Sequence, residues 1–150
     1  MSDKIPKQLE HKEIIKCVPS GKYIGNYKCH ANCLSYAKMY TKNVHSIIGV
    51  AQVYNDNTCC AHFILKMKDG TYFDPTYGNM VDVLYSYCIF IESYEVSRFN
   101  PNRELRSLQE YLYGMRSFMY KLIYPNKYLQ IIRYYLISNK STYHEVLKNI

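Results

Sequence analysis

Cys29, His62 and Asp74 stand in this order along the chain, a set able to activate a thiol and relay its proton. A thiol attacks a carbonyl only as thiolate. It therefore needs a base, and the base needs an acceptor that holds it in one tautomer. Cys29 lies where the turn-rich run VPSGKYIGNYK gives way to a helical pattern. A helix N-terminus sets partial positive charge and unpaired N–H groups beside such a thiol, which lowers its pKa and offers donors to an oxyanion. Asn26 is the expected cap of that helix, which puts Cys29 in the first turn. The sequence assigns no side chain to the oxyanion; Tyr23 and Asn26 are the candidates. Cys33, one turn further on the same face, is expected to be buried.

His62 falls in the strand-like run CCAHFILKMK at 59–68, and Asp74 in the returning run TYFDPT. Strand alternation puts Ala61, Phe63, Leu65 and Met67 on one face and His62, Ile64 and Lys66 on the other. Whether Asp74 shares the face of His62 depends on the turn. A two-residue turn at Asp69 and Gly70 sets Asp74 opposite Leu65, pointing away from His62. A three-residue loop of Lys68, Asp69 and Gly70 sets it opposite Ile64, diagonal to His62 and within side-chain reach. That loop type takes glycine in its left-handed position, where Gly70 stands.

The run from Tyr27 to Gly78 resembles the transglutaminase-like core, a branch of the papain-like cysteine enzymes. The resemblance lies in YKCHANCLSYA, where a Cys opens a helix, and in AHFILKMKDGTYFDPTYG, where a His begins one strand and the next ends in Asp-Pro-Thr. It implies Cys29 as nucleophile, His62 as base and Asp74 as its partner. The family includes protein cross-linkers, proteases, amidases and inactive members, so the resemblance implies the mechanism more closely than the substrate. A protein or peptide amide is the expected substrate, and for a small chain hydrolysis is expected over transfer to an amine. The tryptophans common around such a site are absent, because the chain has none. His30 and Asn32 are not demanded by the family pattern. The chemistry calls for no metal or cofactor.

The expected architecture is α+β in one domain over 1–150: a papain/transglutaminase-like core of a helix on a small antiparallel sheet, then a helical third from about residue 100. A short N-terminal helix is expected from Pro6 through Leu9, Ile14 and Ile15, and the helix bearing Cys29 from about 28 to 42. Strands are expected at 47–54, 59–68, 71–76 and 85–96, with a turn at 55–57. Asn100 and Pro101 open the next helix, whose apolar stripe is Leu105, Leu108, Leu112, Met115 and Met119. A second helix carries Leu129, Ile132 and Leu136, and a last one starts from a capping box of Thr142 and Glu145.

Composition narrows the function classes. Hydrophobic content of 48% suits a globular chain, and no apolar run reaches the roughly 18 residues of a membrane span. The N-terminus has no apolar stretch of the secretory kind. A cytoplasmic location and free thiols are therefore expected for the six cysteines. The net charge of +7 is concentrated at the two ends of the chain. Scattered Lys and Arg of this kind read as solvated helix faces, so nucleic acid is not the expected partner. Richness in Tyr, Lys, Asn and Ile fits an AT-rich genome such as a virus or phage carries. Two other readings compete with the enzyme. A zinc site could draw on Cys29, Cys33, Cys60 and His62. A binding module could present Tyr111, Tyr113, Tyr120, Tyr134 and Tyr135 with basic residues on the C-terminal helices, since each buried tyrosine hydroxyl needs a partner.

Overall fold

The computed structural model describes residues 3–116, with 119 and 122. The architecture is α+β, built on an antiparallel sheet. Its strands are β1 (Asp3–Lys4), β2 (Ile14–Ile15), β3 (Val44–Val53), β4 (Thr58–Met67), β5 (Tyr72–Phe73) and β6 (Tyr87–Tyr94), in the order β1-β4-β3-β6-β2 with β5 also on β4. The helices are α1 (Cys29–Met39), the single turn α2 (Val81–Leu84) and α3 (Pro101–Gly114).

β3 is central and buried on both faces, which explains its near-continuous apolar sequence. It turns into β4 through residues 55–57, where Asn57 takes a left-handed conformation. β4 separates two apolar layers as its alternation requires. Phe63 and Leu65 pack with Cys33 and Ala37 of α1 and with Leu105 and Leu108 of α3. Ile64 packs on the opposite side with Val50, Val81, Tyr85 and Cys88. The start of α3 matches its sequence signals: the Asn100 side chain accepts from Arg103 N at 3.2 Å, and Pro101 is the first helical residue. Leu105, Leu108 and Leu112 are buried and Met115 partly so, but Met119 is 62% exposed and leaves the stripe. The expected helices beyond it lie outside the described residues.

Three expectations are corrected. The N-terminal segment is not an α-helix: Lys7–Leu9 form one 3-10 turn, and Ile14–Ile15 pair with β6 as a strand. Burial alternates there, Ile14 out and Ile15 in, so the period is two. The helix bearing Cys29 runs only from Cys29 to Met39, which leaves Tyr40 largely exposed. Asn26 does not cap it. Tyr27 (φ 58°) and Lys28 (φ −124°, ψ 43°) both lie outside helical geometry, so Lys28 holds the cap position and Cys29 is the first helical residue.

Gly78 ties the loop at 20–24 to the segment after β5. It has φ +54°, and a Cβ there would lie 2.4 Å from the Lys22 carbonyl oxygen. Gly78→Ala is expected to cost about 2–3 kcal/mol, because a rigid backbone atom blocks the space and the conformation disfavours a side chain. A urea unfolding midpoint checks this.

Candidate active site

The β4–β5 connection sets the site. Gly70 N–H donates to the Met67 carbonyl at 3.0 Å, Met67 N–H to Thr71 at 2.8 Å, and Gly70 has φ +89°. The loop is therefore Lys68, Asp69 and Gly70. Leu65 opposes Phe73 in the resulting register, which carries Asp74 to the position opposite Ile64. His62 and Asp74 then meet on one face. His62 Nε2 lies 2.7 Å from Asp74 Oδ2, with both side chains almost wholly buried.

Asp74 is held from every side. Its Oδ2 also accepts from the Tyr85 hydroxyl at 2.8 Å, and its Oδ1 accepts from the backbone N–H groups of Thr76 and Tyr77 at 2.9 and 3.0 Å. Burial opposes its ionisation. The charge and hydrogen bond of His62, the Tyr77 N–H and the Tyr85 hydroxyl outweigh burial and hold the carboxyl below its ordinary 3.8. For His62, burial disfavours the imidazolium, but Asp74 and then Cys29 favour it more strongly and raise its pKa well above 6.5. With Nε2 committed to Asp74, Nδ1 is the nitrogen left for a thiol.

Cys29 sits beside it. β1 and β5 cover the two ends of β4 on one edge, so residues 60–64 have no strand partner there among the described residues. Cys29 packs with Phe63 and Phe73 of one layer, yet it also acts on the ionisation of His62, which belongs to the other face. The thiol therefore lies close enough to the imidazole for each to act on the other's ionisation. Burial raises the Cys29 pKa. The charge of His62, with contributions from His30 and from hydrogen bonding, lowers it to about 6 from an ordinary 9.0. Cys33, one turn on, lacks such help, and burial pushes its thiol well above 9.0. Position on the helix thus separates two thiols of one segment.

The first turn is also locked to the Asp74 segment. Asn26 and Asn32 exchange side-chain hydrogen bonds at 3.0 and 3.1 Å, Asn32 Nδ2 donates to Thr76 Oγ1 at 2.9 Å, and Asn26 Oδ1 accepts from Lys28 N–H. These bonds tie Asn26 to Asn32 and to the backbone that opens α1. Tyr23 is 46% exposed and stacks on Tyr77 with centroids 6.0 Å apart. Tyr77 in turn stacks on His62 at 5.2 Å. The Cys29, His30 and Ala31 N–H groups have no acceptor within the helix, whose first bond runs from Asn32 N–H to the Lys28 carbonyl. Lys28 contributes no side-chain cap.

No family model, curated protein or solved structure matches this chain. The site therefore has to be read from its own geometry. The zinc reading fails on that geometry: among the described residues no group of three or more His, Cys, Asp and Glu side chains is disposed to hold a metal, and Cys29, Cys33, Cys60 and His62 form no ligand set. Cys60 instead donates to Gln52 Oε1 at 3.3 Å, beside the Tyr54 hydroxyl. Of the tyrosines in the binding-module reading, Tyr111 is 45% exposed on α3 and Tyr113 is partly buried; Tyr120, Tyr134 and Tyr135 lie outside the described residues. A cavity of about 410 Å³ lined by Tyr36, Lys42, Met67, Asp69 and Phe73 contains none of Cys29, His62 and Asp74. No described helix is long and apolar enough to cross a membrane.

Sequence reasoning missed Tyr85, Tyr77, Asn32 and Thr76. Thr76 carries the one available signal, since Asp-x-Thr is a local pattern in which a carboxylate takes a backbone N–H two residues on. Tyr85→Phe tests the missed hydroxyl. It should cost about 1.5–3 kcal/mol, the range for a hydrogen bond to a charged group, read as a lower denaturant midpoint with Cys29 still the most reactive thiol.

Proposed function

We propose that this protein is a thiol acyl-transfer enzyme of transglutaminase-like, papain-like type, with Cys29 as nucleophile, His62 as base and acid, and Asp74 as the orienting carboxylate. The observation that carries the reading is the buried 2.7 Å bond from His62 Nε2 to Asp74, which leaves Nδ1 for a thiol whose pKa falls to about 6. A near-neutral thiolate beside an imidazolium is the resting state that attack on an acyl carbon requires.

The sequence of steps follows from the groups. Cys29 Sγ bonds to the carbonyl carbon of an amide, and the C=O pair moves onto oxygen. Collapse of that adduct breaks the C–N bond, and His62 gives its proton to the departing amine. Water then attacks the thioester with His62 taking its proton, which releases the acid and restores the thiolate. Hydrolysis of a protein or peptide amide is the favoured outcome, by a protease, amidase or deamidase; an amine in place of water gives cross-linking. Cys29 is 2% exposed, so a substrate reaches the sulfur only when the surrounding side chains give way.

The experiment is acylation with p-nitrophenyl acetate at neutral pH, with the adduct located by mass. The reading expects one acetyl group on Cys29, removable by hydroxylamine and absent in Cys29→Ser. Acetyl groups spread over several cysteines, unchanged by that substitution, would refute it.

A further inference from the structure

His30 follows the thiol directly on the first turn of α1 and is wholly buried. Neither of its ring nitrogens has a nitrogen or oxygen partner, and the group that His30 acts on is the Cys29 sulfur, whose pKa it helps to lower. Every tautomer of imidazole carries at least one N–H, and a buried donor without an acceptor is costly to the fold. Folded proteins leave few such groups, and each calls for a reason. Around His30 the other polar side chains are matched: Asp74 accepts four hydrogen bonds, and Asn32 joins Asn26 to Thr76. Among the described residues the remaining unmatched buried side-chain atoms are on Gln52 and Gln109, and neither residue is among the groups that act on the thiol. His30 is the donor beside the reacting sulfur.

We propose that His30 donates a ring N–H to the oxyanion formed when Cys29 attacks an acyl group, alongside the backbone N–H groups of the first turn. The assignment rests on the thiol acyl-transfer reading and supplies the side chain which that reading leaves open. As the Sγ–C bond forms, the carbonyl pair moves to oxygen and the sulfur gives up the charge that His30 helps to stabilise, so that oxygen becomes the acceptor for the ring N–H. As the adduct collapses, the pair returns to carbon and the donor is freed. Such a donor follows the negative charge from sulfur to oxygen as the adduct forms.

Alkylation and acylation of the same thiol separate this role from any effect on its ionisation. Iodoacetamide alkylates the thiolate without forming an oxyanion, whereas p-nitrophenyl acetate acylates it through one and expels nitrophenolate. Both rates scale with the thiolate population, so their ratio cancels it. Removing one oxyanion donor should lower the acylation-to-alkylation ratio about 100-fold in His30→Leu and His30→Met, while His30→Gln, which keeps an N–H donor, retains most of it. An unchanged ratio in either donor-less variant overturns the proposal. The wild-type protein gives a second reading, independent of the variants' folding. The His30 ring nitrogen resonance should shift when a peptide aldehyde forms its hemithioacetal with Cys29 and not on alkylation; equal shifts in the two adducts would also overturn the proposal. Failure of wild-type Cys29 to react selectively would instead sink the acyl-transfer reading itself.

Discussion

His62→Ala should slow alkylation of Cys29 at about pH 6 by about 25-fold or more and reduce turnover of an acyl substrate far further. At that pH a thiol of pKa about 6 is half ionised, whereas one returned to 9.0 is ionised in about one molecule in a thousand. The population thus falls about 500-fold. The more basic thiolate is intrinsically the better nucleophile, which restores about 20-fold at a Brønsted slope near 0.45. Burial raises the Cys29 pKa, so without the imidazolium the thiol should pass 9.0 and the loss should grow. Turnover suffers twice, because proton transfer to the leaving group is worth a further factor of about 10²–10⁴. A pH–rate profile of iodoacetamide labelling, mapped to Cys29, checks the first effect, and ester turnover checks the second.

Asp74→Ala should be the most destabilising change in the site, at about 3–5 kcal/mol. It strips a buried imidazole of its counter-charge and leaves the Tyr85 hydroxyl and the Thr76 and Tyr77 N–H groups without an acceptor. Asp74→Asn isolates the chemical role. The Asn carbonyl can keep accepting the two backbone bonds, but its amide would face His62 Nε2 as a donor. The imidazole must then carry its proton on Nδ1, the wrong tautomer for taking one from Cys29, and reactivity should fall about 10³–10⁴-fold. The pH dependence follows the sign of the Asp74 shift. Its folded pKa is depressed below 3.8, so its contribution to stability is fully present above 3.8 and is lost as pH falls through the folded value. Wild type should therefore lose stability more steeply than Asp74→Asn in that acid range, as measured by denaturant melts across it.

Local chemistry explains which parts of this site could be read ahead of the structure. The His62–Asp74 pairing follows from strand alternation and one glycine: Gly70 permits the three-residue loop, and the loop alone decides which face Asp74 takes. The opening of α3 at Asn100 and Pro101 is equally local. The N-terminal error at Ile14 and Ile15 arose because two adjacent β-branched residues fit either period until a partner strand is present, and β6 provides it. Asn26 has a capping residue's side chain, but its amide is drawn into the exchange with Asn32, and the left-handed Tyr27 ends any helix before Lys28. Tyr85 reaches Asp74 from the approach to β6, and Tyr77 covers His62 by folding back after Asp-Pro-Thr. Neither contact leaves a trace in residue spacing, because each depends on how separate elements pack.

The pH titration of Cys29 thiolate absorbance, taken as the difference between wild type and Cys29→Ser, tests the central claim most directly, since it needs no reagent to enter a sealed site. The account predicts a Cys29-dependent rise in absorbance with its midpoint near pH 6, abolished in the same range by His62→Ala. The absence of any Cys29-dependent thiolate below about pH 8 would show an ordinary buried thiol and contradict it.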